Sequence, residues 1–109
     1  MPTIHEKRIK EGFPKQRLVV LPPTVVERCR SMPIVSNLYV TDIGAYASAA
    51  HHYVERQHGI AAAVLIYCLS GRGLIEIDNT IQKIHPGQFV IIPPSTPHIY
   101  QADQKDPWS

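Results

Sequence analysis

From Gly59 onward the chain never runs far without meeting residues that force a turn. Gly71 and Gly73, Asp78-Asn79, Pro86-Gly87, Pro93-Pro94 and Pro97 cut this half into short apolar pieces. Each piece is too short for an ordinary helix and the right length for a strand. The ten prolines are about twice the usual share, and they sit where strands end. There a missing N–H leaves no ladder donor unpaired. Such punctuation argues against long helices and for an all-β sandwich or barrel of short strands. A chain of 109 residues is the size of one domain, and at that size folding buries roughly 60–70% of the unfolded surface.

Residues 1–17 are polar and without period, and they read as a flexible N-terminal arm. Arg17 to Leu21 is a short strand stopped by Pro22-Pro23, and Thr24 to Arg30 is a short helix with Thr24 as its N-cap. Leu38 to Thr41 is β-branched and aromatic, a strand closed by Gly44. His52 to Arg56 is extended as far as the break at Gly59. Ala62 to Leu69 is apolar throughout, as in a strand with core on one side and cover on the other. Leu74 to Asp78 alternates, with Ile75 and Ile77 facing one way and Glu76 and Asp78 the other, solvated, way. Asp78-Asn79 makes a tight turn into Ile81 to His85, and Pro86-Gly87 makes a type II turn. Phe89 to Ile92 and Pro97 to Tyr100 complete the strands.

Composition removes several classes of function. An apolar share of 44% is ordinary for a globular protein. The net charge is +2, with its basic excess in the first seventeen residues, where Lys7, Arg8, Lys10, Lys15 and Arg17 outnumber Glu6 and Glu11. An isoelectric point of about 8.6 is below the roughly 9 expected of a DNA-binding domain. Cys29 and Cys68 are too few and too far apart for a disulfide framework or a zinc site, and Cys68 reads as a small core residue. No apolar stretch follows the first basic residues as in a signal peptide. The longest apolar run, 60–69, is half the roughly 20 residues a spanning helix needs. A cytoplasmic protein is expected, with no membrane partner.

The ordered set Gly-x-Gly, Pro-Gly and Pro-Pro-x-x-Pro-His, each following an apolar strand, resembles the cupin double-stranded β-helix, a jelly-roll barrel. A narrower resemblance is carried by three stretches. They are His52-Tyr53-Val54-Glu55-Arg56 with Leu65 to Gly73, Gly87 to Tyr100, and Asp106-Pro107-Trp108. These look like the N-terminal effector-binding domain of arabinose-type (AraC) transcription regulators. The resemblance implies a cupin-like barrel over 18–109 that senses a small molecule, often a sugar. In the family DNA is bound only through a C-terminal helix-turn-helix module, and these 109 residues are expected to hold the sensing domain without it. The family's strands also continue beyond Trp108, so an open strand edge and a homodimer are expected here.

The resemblance places the ligand-contacting arginine at Arg56 and an aromatic contact at Tyr100. A guanidinium offers a fixed fork of donors, and a phenol adds a polar tip to an apolar wall. The bland alternative for Arg56 is a surface ion pair with Glu55 or Asp42. His98 stands where metal-dependent cupins hold a metal ligand, but the partner His-x-His and Glu are missing, so it reads as a neutral, hydrogen-bonding part of the ligand wall. The adjacent His51 and His52 point to opposite strand faces and read as incidental. Ser70 and Ser95 lack a base partner, so no catalytic group, cofactor or metal is expected. The competing reading is a stand-alone metal-dependent cupin enzyme, an isomerase or dioxygenase.

Overall fold

Eight short strands, one helix and one 3-10 turn make up the computed structural model, which describes residues 8–13 and 16–109. Residues 1–7 and 14–15 of the expected arm lie outside the described residues. The strands are β1 (Arg17–Val20), β2 (Asp42–Ala45), β3 (Tyr53–Arg56), β4 (Val64–Tyr67), β5 (Gly73–Ile77), β6 (Thr80–Ile84), β7 (Phe89–Ile92) and β8 (His98–Ala102). All strand pairs are antiparallel. The central sheet runs β3-β8-β5-β6, while β4 pairs with β7 and β1 with β2. The expected all-β class is therefore observed, with helix α1 (Pro23–Ser31) as an appendage that buries none of its side chains.

The core lies between the central sheet and the β4–β7 pair. Ile75, Ile84 and Ala102 on the inner face of the first pack in one cluster with Val64, Ile66, Val90 and Ile92 of the second. Period-two alternation produces both inner faces. The turns behave as their residues require. Asp78 and Asn79 both take positive φ between β5 and β6, and the Gln88 N–H donates to the His85 carbonyl at 3.0 Å across Pro86-Gly87. Cys68 is 1% exposed, and burial pushes its thiol up, away from the reactive thiolate.

Three local expectations are corrected. Helix α1 starts one residue early with Pro23 in its first turn, and Pro22 rather than Thr24 holds the N-cap position without a side-chain bond. Proline is at ease there because its missing N–H would have no helical partner and its φ is already helical. The strand expected at Leu38–Thr41 instead forms at Asp42–Ala45, with Gly44 inside it opposite Leu18. Strand β1 supplies the ladder, and Pro22 ends that partner just beyond the bond from the Leu21 N–H to the Thr41 carbonyl. Strand β4 is not covered on both faces. Leu65 is 65% and Tyr67 53% exposed, and their cross-strand partners Ile91 and Phe89 are 57% and 62% exposed.

Within the stretch read as an arm, residues 8–13 are tied to the body. The Ile9 N–H donates to the His51 carbonyl and the Tyr53 N–H to the Ile9 carbonyl. Phe13 is 5% exposed. At the other end, Trp108 is also 5% exposed and lies directly against Gly73, where a built Cβ would overlap the indole. The Arg72 N–H donates to the Asp106 carbonyl, and the Asp103 N–H donates to the Arg72 carbonyl. Arg72 also pairs with Asp103 at 3.6 Å and Asp106 at 3.7 Å. The Gly-Arg-Gly and Asp-Pro-Trp motifs are thus one unit.

Candidate functional site

Arg56, His98 and Tyr100 meet on the inner face of the central sheet. Strand β3 sets Arg56 opposite His98 and Val54 opposite Tyr100, and a period of two puts all four on one face. Arg56 Nη1–H donates to His98 Nε2 at 3.1 Å and to the Tyr100 hydroxyl at 3.4 Å. The His98 and Tyr100 rings stack with planes 6° apart, and the guanidinium carbon lies 5.6 Å from the Tyr100 ring centroid. His98 is 4% exposed, while Arg56 and Tyr100 are half-buried. No ion pair joins Arg56 to Glu55 or Asp42.

The backbone sets the state of His98. Its Nδ1 lies 2.8 Å from the Thr96 carbonyl oxygen, which can only accept, so Nδ1 carries the proton and Nε2 accepts from Arg56. Thr96 is held in turn by Gly59, whose φ is +69° and where any Cβ would collide with the Ser95–Thr96 backbone. The Ser95 N–H donates to the Ile60 carbonyl at 2.6 Å, closing that contact. The break at Gly59 thereby sets the pitch of the histidine two residues beyond Thr96.

His52 is the residue that sequence reasoning missed. It is 6% exposed, and its Nδ1 accepts a bond from Trp108 Nε1–H at 3.1 Å. Its ring lies within 5.0–5.9 Å of Phe13, Tyr46, Tyr100 and Trp108. Desolvation by this aromatic cage, with the nearby Arg56 charge adding to it and Glu11 opposing it, lowers its pKa to about 4. The Tyr46 hydroxyl is pushed up, first by burial and then by Glu11, whose carboxylate lies 3.5 Å away. His51, by contrast, is exposed and takes φ +65°. The only available hint was that neighbours on a strand take opposite faces, so one of the pair must point inward.

A hollow of about 330 Å³ lies where β3, β5 and β8 end, and Arg56 and His98 of the trio line it together with Glu55, Glu76, Asp78 and Ile99. Glu55 and Glu76 flank Ile99 across the sheet, so the hollow wraps the end of the sheet and brings carboxylates of the other face to the side of the trio.

The donor set does not suit a metal. Among the described residues no three His, Cys, Asp or Glu side chains converge as a metal-binding group. Both His98 nitrogens are engaged, and a guanidinium against Nε2 would repel a cation. Elemental analysis of untagged protein is expected to find well under one equivalent of Fe, Mn, Ni or Zn. Near-stoichiometric metal that disappears in His98→Ala would overturn this and favour the enzyme reading.

What the arrangement can do is hold a small molecule against a fork of donors and a wall of aromatic rings. Comparison with known proteins agrees in kind. The chain is 29% identical over 93 residues to the MmsAB operon regulatory protein of Pseudomonas aeruginosa, an alignment covering 82% of this chain and 30% of that protein. The chain therefore spans less than a third of the length of this relative. Residues 42–109 match the AraC-like ligand binding domain, a stretch that takes in β2 to β8 and all three residues of the trio. On that match, over more than half its length, the chain belongs to the AraC-like ligand binding domain family.

Proposed function

We propose that the chain is the sensing domain of an AraC-type transcription regulator, taking a small polar effector between its sheets. The observation that carries this is the single Nη1 of Arg56 bonded to both His98 and Tyr100 from a facing strand. A cation held by two neutral acceptors beside an aromatic wall is a recognition element, and a structural role would be met more simply by an apolar side chain. In this reading the strands belong to a cupin-type jelly roll. The effector is a polyhydroxylated molecule of the sugar class or close to it, and the protein works in the cytoplasm as a homodimer. DNA is contacted by a separate helix-turn-helix module. The relative's printed role as an operon regulator supports the regulatory part of this reading.

The test is a thermal-shift screen of sugars and small polar metabolites, followed by titration of any stabilising compound into wild type and Arg56→Ala. Leaving the buried acceptors of His98 and Tyr100, and the ligand's own polar group, without the guanidinium should cost about 1–3 kcal/mol, a roughly five- to hundredfold loss of affinity. Binding that is indifferent to Arg56→Ala, with the variant folded by circular dichroism, would refute the site.

A further inference from the structure

Arg56 is a half-buried cation that makes no ion pair among the described residues, although Glu55, Glu76 and Asp78 share a hollow with it. Its Nη1 is spent on His98 and Tyr100, both neutral acceptors. The ion pairs among the described residues belong to other groups, Arg30 with Glu27 and Arg72 with Asp103 and Asp106. Nε–H and Nη2–H donate to no described residue. These two donors lie along the same edge of the planar group, and that edge takes a carboxylate side-on through two parallel N–H···O bonds. The bonds from Nη1, with the locked His98 tautomer behind them, fix the plane of the fork before any ligand arrives.

The surroundings favour one negative charge over two, since Glu55, Glu76 and Asp78 already line the hollow beside Arg56. The aromatic shelf of Tyr46, His52 and Tyr100 beside Arg56 also feels Glu11, whose carboxylate accepts from Gln16 Nε2 at 2.7 Å and reaches the Tyr46 hydroxyl. A dianionic phosphate would meet a single guanidinium with a carboxylate bearing on the same shelf, whereas a carboxylate monoanion is matched one to one. The phenol of Tyr46 and the indole and imidazole rings suit a body with hydroxyls and C–H faces.

We infer that the effector is a small hydroxylated monocarboxylate, a sugar acid or hydroxy acid, docked side-on on the Nε–Nη2 edge of Arg56. This rests on the reading that the trio forms the effector site, and it names the chemical class that site takes.

The test is calorimetric titration of the 109-residue chain with matched pairs: gluconate and glucose, galacturonate and galactose, lactate and propane-1,2-diol, with inorganic phosphate alongside. At least one acid should bind, with its neutral counterpart about tenfold weaker or more. Arg56→Ala should abolish that binding. Arg56→Lys, which keeps the charge and loses the fork, should weaken it at least about tenfold, and Lys83→Ala on the exposed strand β6 should leave it unchanged. A neutral partner binding as tightly as its acid, and depending on Arg56, would overturn the carboxylate while the effector site stood. Acid binding untouched by Arg56→Ala would overturn both. Phosphate binding alone, or no binding by any acid, would overturn the carboxylate.

Discussion

Gly73→Val is expected to unfold the domain at temperatures where the wild type is fully folded. Gly73 opens β5 directly against the Trp108 indole, and even a Cβ there would overlap the carbons of the ring. The neighbouring contact is the flat face of a buried aromatic, pinned by a bond to His52 and by the Ala49 N–H donating to the Trp108 carbonyl. The indole therefore has to leave its seat. Overpacking a core costs about 1–3 kcal/mol, and losing the burial of a tryptophan costs about 3–5 kcal/mol. A loss near 3 kcal/mol or more is a large part of the roughly 5–15 kcal/mol that holds a domain, and it lowers Tm by about 10–20 °C. Trp108 is the single tryptophan, so its emission should shift to the red in parallel. Gly87→Ala is the comparison: nothing stands within 4 Å of its added Cβ, and only the φ of +85° is strained. It should cost about 1 kcal/mol and leave the emission unchanged. A Gly73→Val protein as stable as wild type, with unshifted emission, would remove Trp108 from this seat.

Acidification is expected to destabilise the protein through His52. Its pKa falls from 6.5 to about 4 on folding, because an imidazolium in the cage would be desolvated and would lose its bond from the indole. Between those values the unfolded chain holds more of this proton than the folded one. Stability from this residue is thus fully present above pH 6.5, falls as pH drops toward 4, and changes no further below it. A displacement of that size corresponds to about 3 kcal/mol. Denaturant unfolding of wild type at intervals from pH 7.5 to 4 should show this decline. In His52→Gln, which keeps an acceptor for the indole N–H, the slope across the same window should be much shallower. Equal slopes in the two proteins would show that His52 is not the group responsible.

Each of these expectations turns on a contact between distant parts of the chain, and that divides what could be read in advance from what could not. Strands β5 to β8 and their turns were apparent residue by residue, because alternation, Asp78-Asn79 and Pro86-Gly87 act over a few bonds. The trio was within reach too. His98 and Tyr100 are two apart on one strand, and the family resemblance named Arg56. What no local signal carried was the partner of each element. Leu38–Thr41 has the composition of a strand but no ladder opposite it, whereas Asp42–Ala45, with a glycine inside, pairs with β1. His52 looked incidental because most of its cage is distant in the chain, with Phe13, Tyr100 and Trp108 joining the nearer Tyr46 around one ring only on folding.

The sequence alone determined the all-β class, the turns and the one-face placement of His98 and Tyr100, since these follow from backbone preferences and a period of two. Tertiary structure decided that Gly73 is required by Trp108 more than by its own turn. It decided that the Thr96 carbonyl selects the His98 tautomer, and that Arg56 stands with its side-on edge unpaired. Burial, tautomer and charge pairing depend on which groups are brought close in space and on how much water they exclude, and neighbours along the chain do not encode either.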